Sequence, residues 1–156
     1  MISISAFRKE YKRGLIIIIA LEIIPCPLCG GELFTRGTCH RKAINSAGNT
    51  DQYQLSVLQC RECGKTHREL PAPLVPYKRY DGEAITHIVE QPESAPCNNH
   101  TFALILNWLN WFLSYAKHIR ESQSFILHAT LSEPTGKSRL TEFMALIRIV
   151  VNSGNW

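Results

Sequence analysis

The spacing of apolar and polar residues changes near the middle of the chain. In the first half the runs are short. Leu15-Ile16-Ile17-Ile18-Ile19-Ala20 is a compact stretch of mostly β-branched residues and predicts a buried strand. Glu32 to Arg36, Arg41 to Ile44 and Gln52 to Gln59 predict further strands, with a turn cluster at Ser46-Ala47-Gly48-Asn49-Thr50-Asp51 before the last. The prolines of Pro71-Ala72-Pro73-Leu74-Val75-Pro76 fix φ and remove donors, which predicts an extended strap. Beyond it the pattern turns helical. Asp81 is placed to cap a short helix through about Glu90, and Thr101 a long one from Phe102 to about Glu121. Gln91 to Asn99 contains two prolines and predicts a loop. A last helix is predicted from Ser138 to Val151, with Leu140, Phe143, Met144, Ile147, Val150 and Val151 facing inward.

The long helix has an unusual girth. Asn107, Asn110, Ser114, Lys117 and Glu121 recur at spacings of 3 and 4 and form one narrow polar stripe. The rest is apolar or aromatic until His118 and Arg120, and includes Trp108, Trp111 and Phe112. Such a helix is buried on most sides or sits in an interface.

These elements give an α+β fold: a small β module followed by an α-helical module. The expected boundaries are residues 15–70 for the β module, 71–80 for a basic strap and 81–156 for the helices. The chain has 156 residues, 45% hydrophobic and 19% charged, enough to bury a core and too apolar for wholesale disorder. Its size excludes a nucleotide-driven motor, a barrel enzyme and a multi-domain receptor. The basic stretch before Leu15 imitates a signal peptide. However, Glu22 breaks the apolar run, no small-residue cleavage site follows, and the run falls short of the roughly 20 residues a membrane span needs. A cytoplasmic protein without a membrane segment is therefore expected.

The strongest chemical signal is a pair of C-x-x-C-G units, Cys26-Pro27-Leu28-Cys29-Gly30 and Cys60-Arg61-Glu62-Cys63-Gly64. Each unit turns two sulfurs toward one ion, and the glycine permits the turn without a Cβ clash. The 30 intervening residues carry hairpin signals. One structural Zn2+ held by Cys26, Cys29, Cys60 and Cys63 is the reading this spacing favours. A redox dithiol and an iron–sulfur cluster are the competing readings. Four thiolates leave no open position for water, so the metal is not expected to be catalytic. Cys39-His40 is a weaker substitute pair at mid-hairpin, and Cys97 reads as a free thiol.

Charge is uneven. Residues 1–80 hold 12 Lys and Arg against 6 Asp and Glu, whereas residues 81–156 hold 5 against 7. Four thiolates around a divalent ion reduce the formal +4 to about +2. Arg36, Arg41 and Lys42 on the hairpin, Arg61, Lys65, His67 and Arg68 at the second knuckle, and Tyr77, Lys78, Arg79 and Tyr80 on the strap compose a candidate nucleic-acid surface of cations interleaved with aromatics. The competing reading is that these cations only neutralise the thiolate centre. Thr135-Gly136-Lys137-Ser138 follows the strand-like Phe125-Ile126-Leu127 and echoes a P-loop. The required first glycine would fall at Leu131, so the cradle is incomplete and the segment reads as a loop and helix cap. The scattered histidines and carboxylates compose no catalytic set, and no enzyme and no small-molecule substrate are expected.

These motifs resemble a known family, the short bacterial zinc-ribbon proteins related to transposases. Such proteins carry C-P-x-C-G-G, an R-G hairpin, C-x-x-C-G-K-T-H, a proline strap and P-Y-K-R-Y. This chain has Cys26-Pro27-Leu28-Cys29-Gly30-Gly31, Arg36-Gly37, Cys60-Arg61-Glu62-Cys63-Gly64-Lys65-Thr66-His67, Leu70-Pro71 and Pro76-Tyr77-Lys78-Arg79-Tyr80. The resemblance implies a small β zinc ribbon followed by an α-helical module of degenerate helix-turn-helix type, in a non-enzymatic DNA-binding accessory protein of a mobile element. Family members place arginines around the tryptophan of the second helix, but Thr101 to Trp111 here holds no cation. That helix is expected to pack, or to dimerise or bind a protein partner through residues 102–121, rather than read DNA. A protein-interaction module and an RNA-binding ribbon are the alternatives.

Overall fold

The computed structural model describes residues 1–127 and 139–154, with an α+β architecture of a curled mixed sheet and three helices. The strands are β1 (Ile2–Ile4), β2 (Phe7–Lys12), β3 (Leu15–Ala20), β4 (Leu33–Ile44), β5 (Thr50–Cys60) and β6 (Thr66–Pro71). The helices are α1 (Gly82–Glu90), α2 (Asn99–Leu127) and α3 (Arg139–Asn152). No helix among the described residues is long and apolar enough to cross a membrane.

β5 is the axis of the sheet. β4 runs antiparallel along one edge, from Leu33 opposite Cys60 to Ile44 opposite Thr50. The other edge is shared: β3 pairs in parallel at Tyr53 and Gln54, and β6 pairs antiparallel at Val57 to Gln59. Two partners at opposite ends of one edge make the sheet curl. The two strands expected at 32–36 and 41–44 are one continuous strand, because a bulge between Thr35 and Gly37 absorbs the break in alternation without ending the pairing. The turn cluster closes this hairpin, with Asn45 Oδ1 accepting from the Ala47 and Asn49 amides at 3.1 and 3.0 Å.

Residues 1–14, left unassigned by the sequence, belong to the sheet. β2 and β3 form a hairpin closed by Arg13 and Gly14, both at positive φ, as a two-residue turn matching strand twist demands. β1 adds in parallel to β6, Ile2 opposite Glu69. The proline strap is less extended than expected. It turns at Pro71 and again at Val75, where the Leu74 and Lys78 amides donate back, and it buries Leu74 and Val75.

Asp81 caps α1 as expected, its carboxylate accepting from the Ala84 amide at 2.7 Å. Gly82 lies where α1 crosses α3; a Cβ there would collide with Met144 Sδ. The loop before α2 holds a short 3-10 turn at Pro92–Ser94. α2 begins earlier than expected. Asn98, not Thr101, caps it, accepting from the Thr101 amide at 2.8 Å. It also ends later, so Phe125 to Leu127 are helical rather than strand-like. The polar stripe Asn107, Asn110, Ser114, Lys117 and Glu121 is exposed, and Ile105, Phe112, Ala116 and Ile119 line the buried face. In α3, Phe143, Leu146, Ile147, Val150 and Val151 are buried and Met144 is half-buried. Thr135 to Ser138, His128, Trp156 and the Leu140 side chain lie outside the described residues.

Two contacts tie α3 to the N-terminal strands. Arg148 donates to both carboxylate oxygens of Glu22, at 3.2 and 2.7 Å, while Glu22 also accepts from the Ser5 and Ala6 amides. The Asn152 amide bonds the backbone of Ser3 in both directions, at 2.7 and 3.0 Å.

Candidate metal centre

The two C-x-x-C-G units fold alike. In the first, the Gly30 amide donates to Cys26 O at 2.8 Å and the Cys26 amide to Gly31 O at 2.9 Å. In the second, Gly64 donates to Cys60 O at 3.1 Å and Cys60 to Lys65 O at 2.9 Å. Gly30 and Gly64 have φ of 75 and 68, the left-handed conformation that a Cβ disfavours. The units are joined by the Arg61 amide donating to Glu32 O at 3.0 Å and by an Arg61–Glu32 ion pair at 3.1 Å. β4 starts just beyond the first unit and β5 ends in the second, so the hairpin register brings them together.

The sulfurs of Cys26, Cys29, Cys60 and Cys63 all lie within 4.8 Å of one another and could hold a metal ion. Cys26 and Cys63 are 3.7 Å apart and Cys29 and Cys60 are 3.5 Å apart. A tetrahedral ion with bonds of about 2.3 Å separates its sulfurs by about 3.8 Å, so the spacing fits a single ion. It is too long for a disulfide bond of about 2.05 Å. Cys26 and Cys60 are buried, while Cys29 and Cys63 lie at the surface.

The environment favours stepwise ionisation. The Cys63 and Glu62 amides aimed at the Cys60 sulfur help bring that thiol down to about 7. Cys29 is helped by the Gly31 amide, yet the adjacent Cys60, Cys63 and Cys26 sulfurs push it up to about 12. A bound cation removes this mutual opposition by stabilising all four thiolates.

His67 was expected on a nucleic-acid surface. It is buried instead, with Nε2 3.4 Å from Cys26 Sγ, and burial lowers its pKa from the ordinary value. It therefore supports a cluster sulfur in the manner of an outer-sphere partner. Cys39, His40 and Cys97 stand outside the cluster. Cys39 packs on the sheet core, and Cys97 is a half-buried free thiol whose pKa burial raises.

The other expected contact residues divide. Arg36, Lys42, Arg61, Lys65, Arg68, Tyr77 and Arg79 are exposed. Arg61 is engaged by Glu32 and lies over the Phe34 ring at 5.0 Å. Arg41 is half-buried and donates through Nη2 to Val75 O and to Lys78 O, so it fastens the strap to β4. Lys78 stands 4.1 Å over the Trp108 ring. Tyr80 packs against the helical core and bridges to Ile44. Trp108 in turn stacks on Phe112 at 5.4 Å and meets Phe143 edge-on, so it belongs to the core. Sequence marks Glu22 only as a break in the apolar run and gives Glu32 and Phe34 no role, because their partners follow from strand register and tertiary packing.

No curated protein and no solved structure matches this chain. Residues 26–105, from the first cysteine of the first knuckle into α2, match the domain of unknown function DUF6431, and the chain belongs to that family.

Proposed function

We propose that this is a non-enzymatic zinc-ribbon DNA-binding protein, an accessory or relic of the transposases of a mobile element. The observation that carries the reading is the four-cysteine cluster at the root of the β4–β5 hairpin, together with exposed Arg36 and Lys42 on the hairpin, Lys65 and Arg68 after the second knuckle and Arg79 on the strap. Among the described residues none of these five cations forms an ion pair with a carboxylate. An all-thiolate tetrahedral set suits zinc, and the sulfurs lie too close together to surround a cluster of several irons. Four protein ligands leave the ion no reactive position, so its contribution is to fix the hairpin and with it the positions of the cations. Exposed Tyr77 adds an aromatic face beside Arg79.

A gel-shift titration of the zinc-loaded chain over a salt series tests this reading. Duplex binding is expected at low salt, with log affinity falling linearly against log salt. Absence of binding to duplex and single-stranded DNA at low salt would contradict it, and tighter binding to RNA in the same assay would move the function to an RNA-binding ribbon.

A second reading has its own support. Leu104 and Trp111, seven residues apart on one face of α2, are exposed, Trp111 at 56%. Such a strip suits a protein partner or a second copy of the chain. Sedimentation of the zinc-loaded chain separates these outcomes: a dimer dispersed by Trp111→Glu favours self-association.

A further inference from the structure

Between the β4–β5–β6 sheet and the strap is a cavity of about 170 Å3, whose lining includes His40, Arg41, Arg68, Tyr77 and Lys78. Among the described residues no carboxylate lines it. Pairing explains the arrangement: Arg41 is opposite Tyr53, and Arg68 is opposite Val57, so both project on the Tyr53–Leu55–Val57 side of β5. That side would normally collect apolar residues, and it carries two guanidinium groups instead.

The two arginines differ in freedom. Both hydrogen bonds of Arg41 leave from Nη2, so the donors on Nε and Nη1 have no acceptor among the described residues. Those donors reach solvent, because His87 Nδ1 is the sole fully buried side-chain N or O without a partner among the described residues. Arg41 is thus held rigidly by the strap with half its fork unused. Arg68 is exposed and forms no ion pair among the described residues. Burial lowers the Arg41 pKa from its ordinary value, and the neighbouring Arg68 cation lowers it further, which marks two like charges without a counter-ion. Tyr77 stands at the lip, 80% exposed and at a φ of 55, a conformation a bulky residue rarely adopts.

We infer that this cavity seats a phosphate group, gripped by Arg41 and Arg68 and flanked by Tyr77. Two planar forks without a carboxylate match the oxygens of a phosphate better than any cation or apolar ligand. Pockets for whole small molecules run from about 300 Å3 upward, so this one takes a single charged group. The inference deepens the nucleic-acid reading, and rests on it only for the source of the phosphate. Either a backbone phosphate of DNA or a free phosphate presents the same oxygens.

Inorganic phosphate titrated into the full zinc-loaded chain, followed by calorimetry, tests the pocket. Saturable one-to-one binding is expected, weakened at least tenfold in Arg68→Gln and less in Arg68→Lys, which keeps the charge and loses the fork. Lys117→Gln, an equal charge change on α2, is expected to bind within twofold of wild type. Metal content checks that each variant is folded. The inference is overturned if wild type shows no saturable binding, if Arg68→Gln binds like wild type, or if Lys117→Gln weakens binding as much. The same variants in the gel shift identify the source. A parallel tenfold loss for DNA assigns the pocket to backbone phosphate, whereas unchanged DNA binding with lost phosphate binding assigns it to a free phosphate. A wild-type chain that binds phosphate but not DNA retains the pocket and loses only the proposed function.

Discussion

The buried cluster within the sheet holds Ile2, Ile4, Ile18, Ala43, Tyr53, Leu55, Leu70 and Leu74, and Tyr53 is its one fully buried aromatic. The cluster among the helices holds Phe112, Phe143 and five isoleucines or valines from α1 and α3, with Trp108 and Tyr115 packed against it. The sheet side also carries long exposed strands: β2 has no fully buried residue, and its Lys9, Glu10, Tyr11 and Lys12 all face solvent. A curled sheet with a thin core gains from a cross-link, and the four-cysteine cluster is placed to supply one. The helical side is held by aromatic packing and needs none. The charge follows the same division, since most of the exposed cations among the described residues lie on the side whose core is smaller.

This comparison breaks most visibly through the metal. Structural zinc contributes on the order of 10 kcal/mol to folding of small metal-bound units, comparable to the whole stability of a domain. Cys60→Ser, or strong chelation, is therefore expected to abolish amide protection over residues 26–71 while protection in α3 persists. Hydrogen exchange measures both at once. Equal loss everywhere would mean that the two sides fold as one unit, and no loss would mean that the sheet does not need the ion.

The converse change tests the helical side. Phe112 is fully buried and meets Trp108 and Phe143, so Phe112→Ala is expected to cost about 3–5 kcal/mol in denaturant unfolding. Metal content should stay unchanged. Loss of the metal in that variant would contradict independent support of the two sides.

The seam between them is weaker and depends on pH. The Arg148 guanidinium holds Glu22 down at about 2 from an ordinary 4.5. A carboxylate with a depressed folded pKa stabilises fully above the unfolded value, and the contribution fades as pH falls from 4.5 toward 2. After solvent screening of this partly exposed pair, Glu22→Gln is expected to cost about 1 kcal/mol at pH 7. The difference from wild type should vanish near pH 2. A constant difference across that range would show that Glu22 acts through packing.

The smallest effect belongs to the strap. Tyr77→Gly relieves a left-handed conformation worth about 1–2 kcal/mol and adds unfolded-state freedom of about 0.5–1 kcal/mol. A net gain near 0.5 kcal/mol in thermal stability is expected, together with weaker DNA binding in the gel shift. A stability gain without change in DNA affinity would remove Tyr77 from the proposed interface.

Sequence made some of this legible and hid the rest for identifiable reasons. Cysteine spacing located the four-cysteine cluster because knuckle geometry is local, set by a few residues and one glycine each. Asp81 as a cap and the stripe along α2 were legible for the same reason. The N-terminal hairpin was missed because Arg13-Gly14 is an uncommon form of the two-residue turn. The continuity of β4 was missed because the bulge at Thr35–Gly37 disrupts alternation. The fates of His67, Arg41 and Lys78 were illegible because each depends on strand register or on where the strap returns. A basic residue in a sequence looks like surface charge. Three-dimensional contacts decide that Arg41 fastens a strap, that Lys78 covers Trp108, and that Arg68 is left facing a cavity.

The central claim is that four thiolates, joined by one hairpin register, hold a single zinc ion that organises the sheet side. Elemental analysis of the purified chain beside Cys60→Ser tests it most directly. One zinc per wild-type chain and none in the variant is the predicted result. Iron in place of zinc, no metal in wild type, or full zinc retention by Cys60→Ser would contradict it.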